Sequence, residues 1–314
     1  MPIHDLGYRA WEGRLRPEVT RWWVIAETGV RLAFRSRVLR RMILVAWLPA
    51  IYMGTAFFMW EQAAAHPDTQ REALRFFRGF VGGQASAIFR SASLLDAAEA
   101  RHQIWGWLLL TFFRQPQGVL MALVVGLIAP PLISQDIQSR ALLLYFSRPI
   151  ARVEYVAGKF AIVCAYLLLI TTAPALTLYI FGVLLSPDLA VLKYTWDFPL
   201  RILLASLVLI VPTTSLALAY SSLTTRSYYS GFAWYATWAF GFITYLFLQA
   251  TLEDRFTDSW SLLSLHHSLG LVQVWIFDIG EPSSVAPRAL LLLGVLSVTS
   301  LVIVFRRVSA CTRV

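Results

Sequence analysis

Two adjacent histidines, His266 and His267, are the residues whose types first suggest chemistry, and Asp254 and Asp258 precede them closely. Imidazole and carboxylate groups can hold a metal ion or relay a proton. Adjacent side chains on a helix diverge by about 100°, however, and metal sites usually have tighter ligand clusters. We therefore predict polar loop residues here, with no catalytic and no metal-binding residues. An intramembrane enzyme that uses these histidines is the weakest alternative.

The pair Gly158 and Lys159 resembles the end of a phosphate-binding loop. That motif requires another glycine five residues before the second one, and a Ser or Thr after the lysine. Position 153 is Val and position 160 is Phe. The chain is therefore predicted to have no nucleotide site and no cofactor of its own, and it is not expected to be an enzyme.

The composition is that of a membrane protein. Hydrophobic residues make up 58% of the 314 residues and charged residues 14%, whereas soluble domains have about 45–50% and about 25%. A transmembrane helix needs about 20 mostly apolar residues. On this basis we predict an all-α membrane protein with six transmembrane helices. The six spans lie near residues 42–60, 116–134, 160–185, 201–222, 230–251 and 288–305.

The predicted spans are apolar, and we expect their membrane cores to carry no charge. Their polar content is limited to Ser, Thr, Tyr and Gln. Proton-coupled and sodium-coupled transporters usually need ionisable groups inside the membrane. A transporter built from these spans would therefore take its energy from another source.

Basic residues orient the chain in the membrane. Most of the 27 Lys and Arg residues fall on the side that holds both termini, and the positive-inside bias makes this side cytoplasmic. The net charge of +9 then faces anionic lipid headgroups, so no nucleic-acid partner is predicted. Five arginines crowd just before the first span: Arg31, Arg35, Arg37, Arg40 and Arg41.

Two regions are predicted along the chain. Residues 1–41 form a cytoplasmic N-terminus with an amphipathic helix over Val19–Met42, which lies in the headgroup layer or packs on a partner. Residues 42–314 form the six-helix transmembrane domain, with an outer helical loop at 61–115, a cytoplasmic loop at 134–159 and an outer loop at 252–288.

Two apolar stretches in the outer loops are not counted as separate spans. Ser259–Phe277 has no formal charge, but it contains four serines and two histidines. A seventh span would also place the C-terminal arginines outside, against the positive-inside bias. We therefore predict a re-entrant or interfacial helix there. Ile104–Phe113 is too short to span alone, so it is either interfacial or an outer extension of the second span.

The loop Ser134–Lys159 carries Arg, Pro, Tyr and Lys that a bilayer does not explain. A short helix is predicted over Asp136–Tyr145, with Asp136 near its positive end. Proline then ends the helix, since it disfavours the α conformation in the residue before it. The result is a basic knob at the membrane surface, suited to a partner with acidic residues. The alternative is a loop that only contacts lipid.

This loop resembles the one between the second and third spans of ABC-2 type transporter permeases. The family pattern is matched by these residues: Ile133, Asp136, Ala141-Leu142, Leu144-Tyr145, Ser147-Arg148-Pro149-Ile150, Arg152, Tyr155 and Gly158-Lys159. Six spans with both termini inside, and an amphipathic N-terminal elbow helix, also suit that family. The chain has Ser139-Arg140-Ala141 where drug exporters often have an acidic residue and Gly-Thr, so the resemblance does not favour drug export.

The resemblance implies the permease subunit of an ATP-driven transporter, an exporter, in a bacterial cytoplasmic (inner) membrane. Two permease chains, identical or different, would each dock a separate ATPase subunit that binds ATP and Mg²⁺. The loop would supply the coupling helix. The residues it implies for contact with the ATPase are Asp136, Arg140, Arg148, Pro149, Arg152 and Tyr155. The alternative is a non-transporting membrane scaffold that anchors a cytosolic partner through the same loop.

Overall fold

The computed structural model describes residues 20–65, 97–147, 150–186, 191–251, 257–279 and 283–310. All regular structure in these ranges is helical. The helices are α1 (Arg21–Phe34), α2 (Arg37–Ala65), α3 (Ala97–Arg114), α4 (Pro116–Gln138), α5 (Ala141–Phe146), α6 (Arg152–Leu167), α7 (Ala173–Leu185), α8 (Val191–Thr195), α9 (Phe198–Leu223), α10 (Ser227–Thr251), α11 (Thr257–Trp260), α12 (Leu265–Phe277) and α13 (Ala286–Ala310).

Within the described ranges, six segments are long and apolar enough to cross a membrane. Each of them contains one of the six spans predicted from the sequence, so the all-α fold with six potential transmembrane helices is confirmed. The segments are Arg37–Gln62, Glu99–Gln138, Arg152–Leu185, Val191–Leu223, Ser227–Thr251 and Ala286–Ala310. Their apolar composition lets each helix satisfy its own backbone groups inside a hydrocarbon layer.

Polar contacts define two ends of the bundle, which we call the loop end and the far end. At the far end the buried carboxylate of Glu61 accepts hydrogen bonds from Arg101, Trp105 and Ser186 at 2.9, 2.9 and 3.0 Å. These contacts join α2, α3 and the end of α7. The loop end carries the turn from α4 to α6 and the C-terminal ends of α9 and α13.

The second spanning segment begins much earlier than the predicted position 116. Helices α3 and α4 follow one another in the stretch Glu99–Gln138, and Ile104 and Phe113 are buried in the core. Of the two alternatives for Ile104–Phe113, the structure shows the extension of the second span. Residues 66–96, most of the predicted outer loop, lie outside the described residues.

Arg114 lies inside the second potential spanning segment, Glu99–Gln138, and not at its edge. Gln117 donates a hydrogen bond to the carbonyl oxygen of Ala46 at 2.8 Å, and Ala46 lies within the spanning part of α2. Arg114 comes just before Gln117, about 20 Å along α3 from Arg101 at 1.5 Å per residue. The predicted second span began at residue 116, after Arg114, and the expectation that the membrane cores carry no charge remains a prediction.

Helix α12 is too short to cross a bilayer by itself. Its 13 residues extend about 20 Å, against a hydrocarbon thickness of about 30 Å. It packs against α3, α9, α10 and α13, and Arg201 of α9 donates to the carbonyl oxygen of Ile276 at 2.7 Å. This short, internally packed helix agrees with the non-spanning element predicted at Ser259–Phe277.

Helix α1 packs closely along α6. The two helices approach through small residues, because a Cβ atom on Gly158 would lie 2.7 Å from Cβ of Ile25. The Tyr166 hydroxyl donates to the carbonyl oxygen of Val30 at 2.7 Å. The predicted N-terminal helix is thus present over Arg21–Phe34, with one face on its own transmembrane domain. Its placement in the headgroup layer remains a prediction.

The close approach at Gly158 gives a test of this packing. Replacing Gly158 by Val should push α1 away from α6 and lower the free energy of unfolding by about 1–3 kcal/mol. The matched control is Gly294→Val on α13, because an added Cβ there meets nothing within 4 Å. Thermal unfolding of the purified chain in micelles measures both variants. Equal melting temperatures would contradict the packing.

Candidate functional site: the loop between α4 and α6

The turn that ends α4 depends on an unusual backbone conformation. Arg140 has φ 55° and ψ 22°, in the left-handed region, which lets the chain leave α4 and start α5 at once. The Ser139 hydroxyl donates to the carbonyl oxygen of Gln135 at 2.8 Å, which satisfies one of the last acceptors of α4. The predicted single helix over Asp136–Tyr145 is therefore two pieces, the end of α4 and the six-residue α5.

The start of α6 is fixed by the side chain of Glu154, in its first turn. Glu154 accepts a hydrogen bond from the backbone N–H of Ala151 at 2.8 Å. A carboxylate in the first turn also favours the positive end of the helix dipole. Helix α6 therefore begins at Arg152, and the predicted boundary at Lys159 lies within it.

An ion pair joins the two helices that flank the loop. Lys159 Nζ on α6 lies 2.7 Å from Asp136 Oδ2 on α4, and the Tyr155 hydroxyl donates to the same oxygen at 2.7 Å. The side chains of Lys159 and Asp136 are only 11% and 16% exposed, so solvent screens their attraction weakly. Asp136 therefore holds α4 and α6 at a fixed spacing.

Aromatic packing joins α5 to Tyr155, the residue that hydrogen-bonds Asp136. The ring of Tyr155 is fully buried, and its centroid lies 5.7 Å from that of Tyr145 and 5.9 Å from that of Phe146. Burial, and secondly the charge of Asp136, raise the pKa of Tyr145. Its phenol thus stays neutral at physiological pH. The end of α4, α5 and the start of α6 form one packed unit, which we call the knob.

The outer surface of the knob combines basic and apolar side chains. Leu144 is 73% exposed and Val153 is 64% exposed, and Arg140 and Arg152 are also exposed. Arg152 reaches Ser309 of α13 at 3.3 Å. Exposed leucine and valine next to arginine are suited to a partner surface that is apolar with acidic residues at its edge.

A serine on α9 clamps α4 just above the knob. The hydroxyl oxygen of Ser221 accepts from the backbone N–H groups of Ile133 and Ser134 at 3.0 and 3.1 Å, and donates to the carbonyl oxygen of Pro130 at 2.7 Å. Two prolines, Pro130 and Pro131, interrupt the hydrogen bonding of α4 there. The kinked segment is thereby fixed to the most buried spanning helix.

Of the six predicted contact residues, the structure describes four, which fall into two groups. Asp136 and Tyr155 bind each other inside the knob, whereas Arg140 and Arg152 lie on its surface. Arg148 and Pro149 lie outside the described residues. The sequence analysis did not identify Lys159 as the partner of Asp136, although it named Lys159 in the loop pattern and in the comparison with a phosphate-binding loop. Their opposite charges on the two helices that flank the loop were the available signal.

The histidine pair lies in a different setting from a metal centre. His267 stacks on Tyr245 with ring centroids 3.6 Å apart, and its Nδ1 lies 2.9 Å from the Ser264 hydroxyl. The His266 ring is edge-on to that of His267. In the part of the chain that the structure describes, no three His, Cys, Asp or Glu residues are grouped to hold a metal ion. Asp254 lies outside that part.

No family model matches this chain, and no curated protein matches it.

The ion pair in the knob can be tested by removing one charge. Asp136→Asn leaves the buried ammonium of Lys159 uncompensated and should lower the free energy of unfolding by about 1–3 kcal/mol. The control is Glu27→Gln, which breaks a more exposed pair between Glu27 and Arg31 on α1 and should cost under about 0.5 kcal/mol. Denaturant or thermal unfolding in micelles provides the comparison. Equal losses of stability in the two variants would show that the Asp136–Lys159 ion pair does not hold α4 and α6 together.

Proposed function

We propose that this chain is the permease subunit of an ATP-driven ABC transporter, an exporter, and that the knob couples it to a separate ATPase subunit. The observation that carries this proposal is the construction of the knob. Its surface offers Arg140, Leu144 and Arg152, while its interior is fixed to two potential transmembrane helices through Asp136. The match of the loop to ABC-2 type permeases supports the same function.

A coupling element must transmit displacement without deforming. In the proposed mechanism, ATP binding closes the ATPase subunits and moves the knob. The Asp136–Lys159 pair passes the displacement to α4 and α6 together, because their spacing is fixed. The Ser221 clamp then passes it to α9. ATP needs to favour one of two helix packings by only a few kcal/mol for this to change the state of the bundle.

The proposal includes a topology and partners. The exposed arginines Arg140, Arg152 and Arg307 lie at the loop end. The positive-inside bias therefore favours a cytoplasmic loop end, and the resemblance of the loop favours a bacterial inner membrane. The ATPase subunit would bind ATP and Mg²⁺. A second permease chain would complete the transporter, and helix α10, which is largely exposed along its length, offers surface to that chain and to lipid.

The coupling contact can be tested with a charge reversal on the knob. Arg140→Glu should reduce co-purification of the ATPase subunit with the tagged full-length chain at least tenfold, because the exposed cation would become an anion facing acidic residues. Arg288→Glu is the matched control, since Arg288 is an exposed arginine at the far end. The co-purified protein is identified by its nucleotide-binding motif and by ATP hydrolysis in reconstituted vesicles.

Two outcomes would contradict parts of the proposal. If Arg140→Glu and Arg288→Glu retain equal amounts of the ATPase subunit, the knob is not the contact. If a cytosolic partner binds the knob but reconstituted vesicles hydrolyse no ATP and move no cargo, the chain is a membrane scaffold instead. Neither outcome depends on knowing the cargo.

A further inference from the structure

A basic and aromatic cluster lies within the membrane-spanning region, away from the knob. Arg114, at the end of α3, donates from Nη1 to the carbonyl oxygen of His266 at 2.6 Å. The ring of His266 lies 6.3 Å from that of Trp238 and 5.8 Å from that of Phe242, between centroids. Trp238 is near the middle of the spanning helix α10. The cluster therefore lies beside the middle of α10, away from both of its ends.

The charge of Arg114 has no counter-ion among the residues that the structure describes. The carbonyl of His266 takes one of the five N–H donors of the guanidinium, and none of the carboxylates in the described ranges lies within ion-pair distance of it. An uncompensated charge in the membrane is costly, and such residues usually mark a ligand or ion pathway. Three other cations with largely shielded side chains, Arg101, Lys159 and Arg201, each have a carboxylate partner.

Neighbouring groups also lack acceptors. The indole Nε1 of Trp238 and the amide Nε2 of Gln273 are buried and make no hydrogen bond. Gln273 lies on the face of α12 that also carries His266 and Gly270. Unused donors beside an unpaired cation call for a ligand with several acceptor atoms and a negative charge.

The chain makes room for the guanidinium and leaves it partly open. A Cβ atom on Gly270 would lie 1.8 Å from Nη1 of Arg114, so a larger residue at this position would displace the guanidinium from its place against α12. Arg114, His266 and His267 are each only partly buried. A molecule in the bilayer could therefore reach the cluster from the side.

We propose that the Arg114 cluster binds the oxyanion group, phosphate or carboxylate, of an anionic ligand at membrane depth. Charge-assisted hydrogen bonds from the guanidinium would hold the oxyanion. The aromatic rings of Trp238 and Phe242 would lie beside its apolar portion. Because this site belongs to the chain alone, the proposal is independent of the contact with an ATPase subunit, and either one can fail without the other.

Calorimetric titration of the full-length chain in maltoside micelles tests the site, with dodecyl phosphate as the probe. We expect saturable binding that dodecanol does not reproduce. Arg114→Gln should weaken binding at least tenfold, whereas Arg114→Lys, which keeps the charge, should weaken it less. The control Arg306→Gln removes an exposed arginine at the loop end and should leave the affinity unchanged. Competition by inorganic phosphate would indicate a free anion as the ligand, and its absence would indicate a membrane amphiphile.

A second variant keeps the test decisive if Arg114→Gln does not fold. Gly270→Ala retains the positive charge but displaces the guanidinium, and it should also weaken dodecyl phosphate binding several-fold. Equal affinity of the wild type, Arg114→Gln and Gly270→Ala would overturn the proposal. So would equal binding of dodecanol. If Arg114→Gln lowers the melting temperature of the ligand-free chain but leaves binding unchanged, Arg114 only holds α3 against α12.

Discussion

The requirement that every backbone polar group in hydrocarbon be satisfied within the protein governs this structure. It accounts for the helical form of the six spanning segments. It also explains how the chain treats its irregularities. The hydroxyl of Ser221 serves the kinked backbone at Pro130. Between α6 and α7 the backbone passes through a π-helical turn, Leu168–Thr172, just before Pro174. At Pro130 the irregular backbone is thus served by a side chain from another helix.

The same constraint limits where polar side chains can go. Many hydroxyls in the spans donate to the carbonyl four residues earlier, as Thr171 does to Leu167 and Ser297 to Leu293. Charged groups instead form separate clusters at different depths. Glu61 collects donors at the far end, and Asp136 collects them at the loop end. Arg114 lies between these depths and differs from both in having no opposite charge among the described residues.

The Glu61 and Asp136 clusters connect helices at opposite ends of the bundle. At the far end, Glu61 joins three helices, and at the loop end Asp136 joins two helices and supports α5. In the proposed mechanism, a displacement of the knob would move α4 and α6 as a pair, and the Ser221 contact would extend it to α9. Between the two clusters, contacts are mostly apolar and non-directional, which leaves the middle of the bundle free to change its packing.

Much of the fold follows from local sequence, but the contacts of the site residues do not. The spans were predictable because their runs of apolar residues are long enough to cross a membrane. The end of α5 at Phe146 was predictable because a proline follows three residues later in the sequence. The position of Arg114 was not predictable, since a charged residue after Phe113 reads as the edge of a loop. Asp136 and Tyr155 read as surface residues because nothing local shows that Lys159, on another helix, lies against them.

The sequence by itself determined the class of protein, the number of potential spans and the presence of a basic, proline-containing loop between two of them. These features depend on composition and on neighbours along the chain. Only the tertiary structure decided which charges face each other: Lys159 with Asp136 inside the knob, and Arg114 against α12 without an acid. Such pairings are set by helix packing over long sequence separations, where the close approach permitted by Gly158 and Gly270 decides which side chains meet.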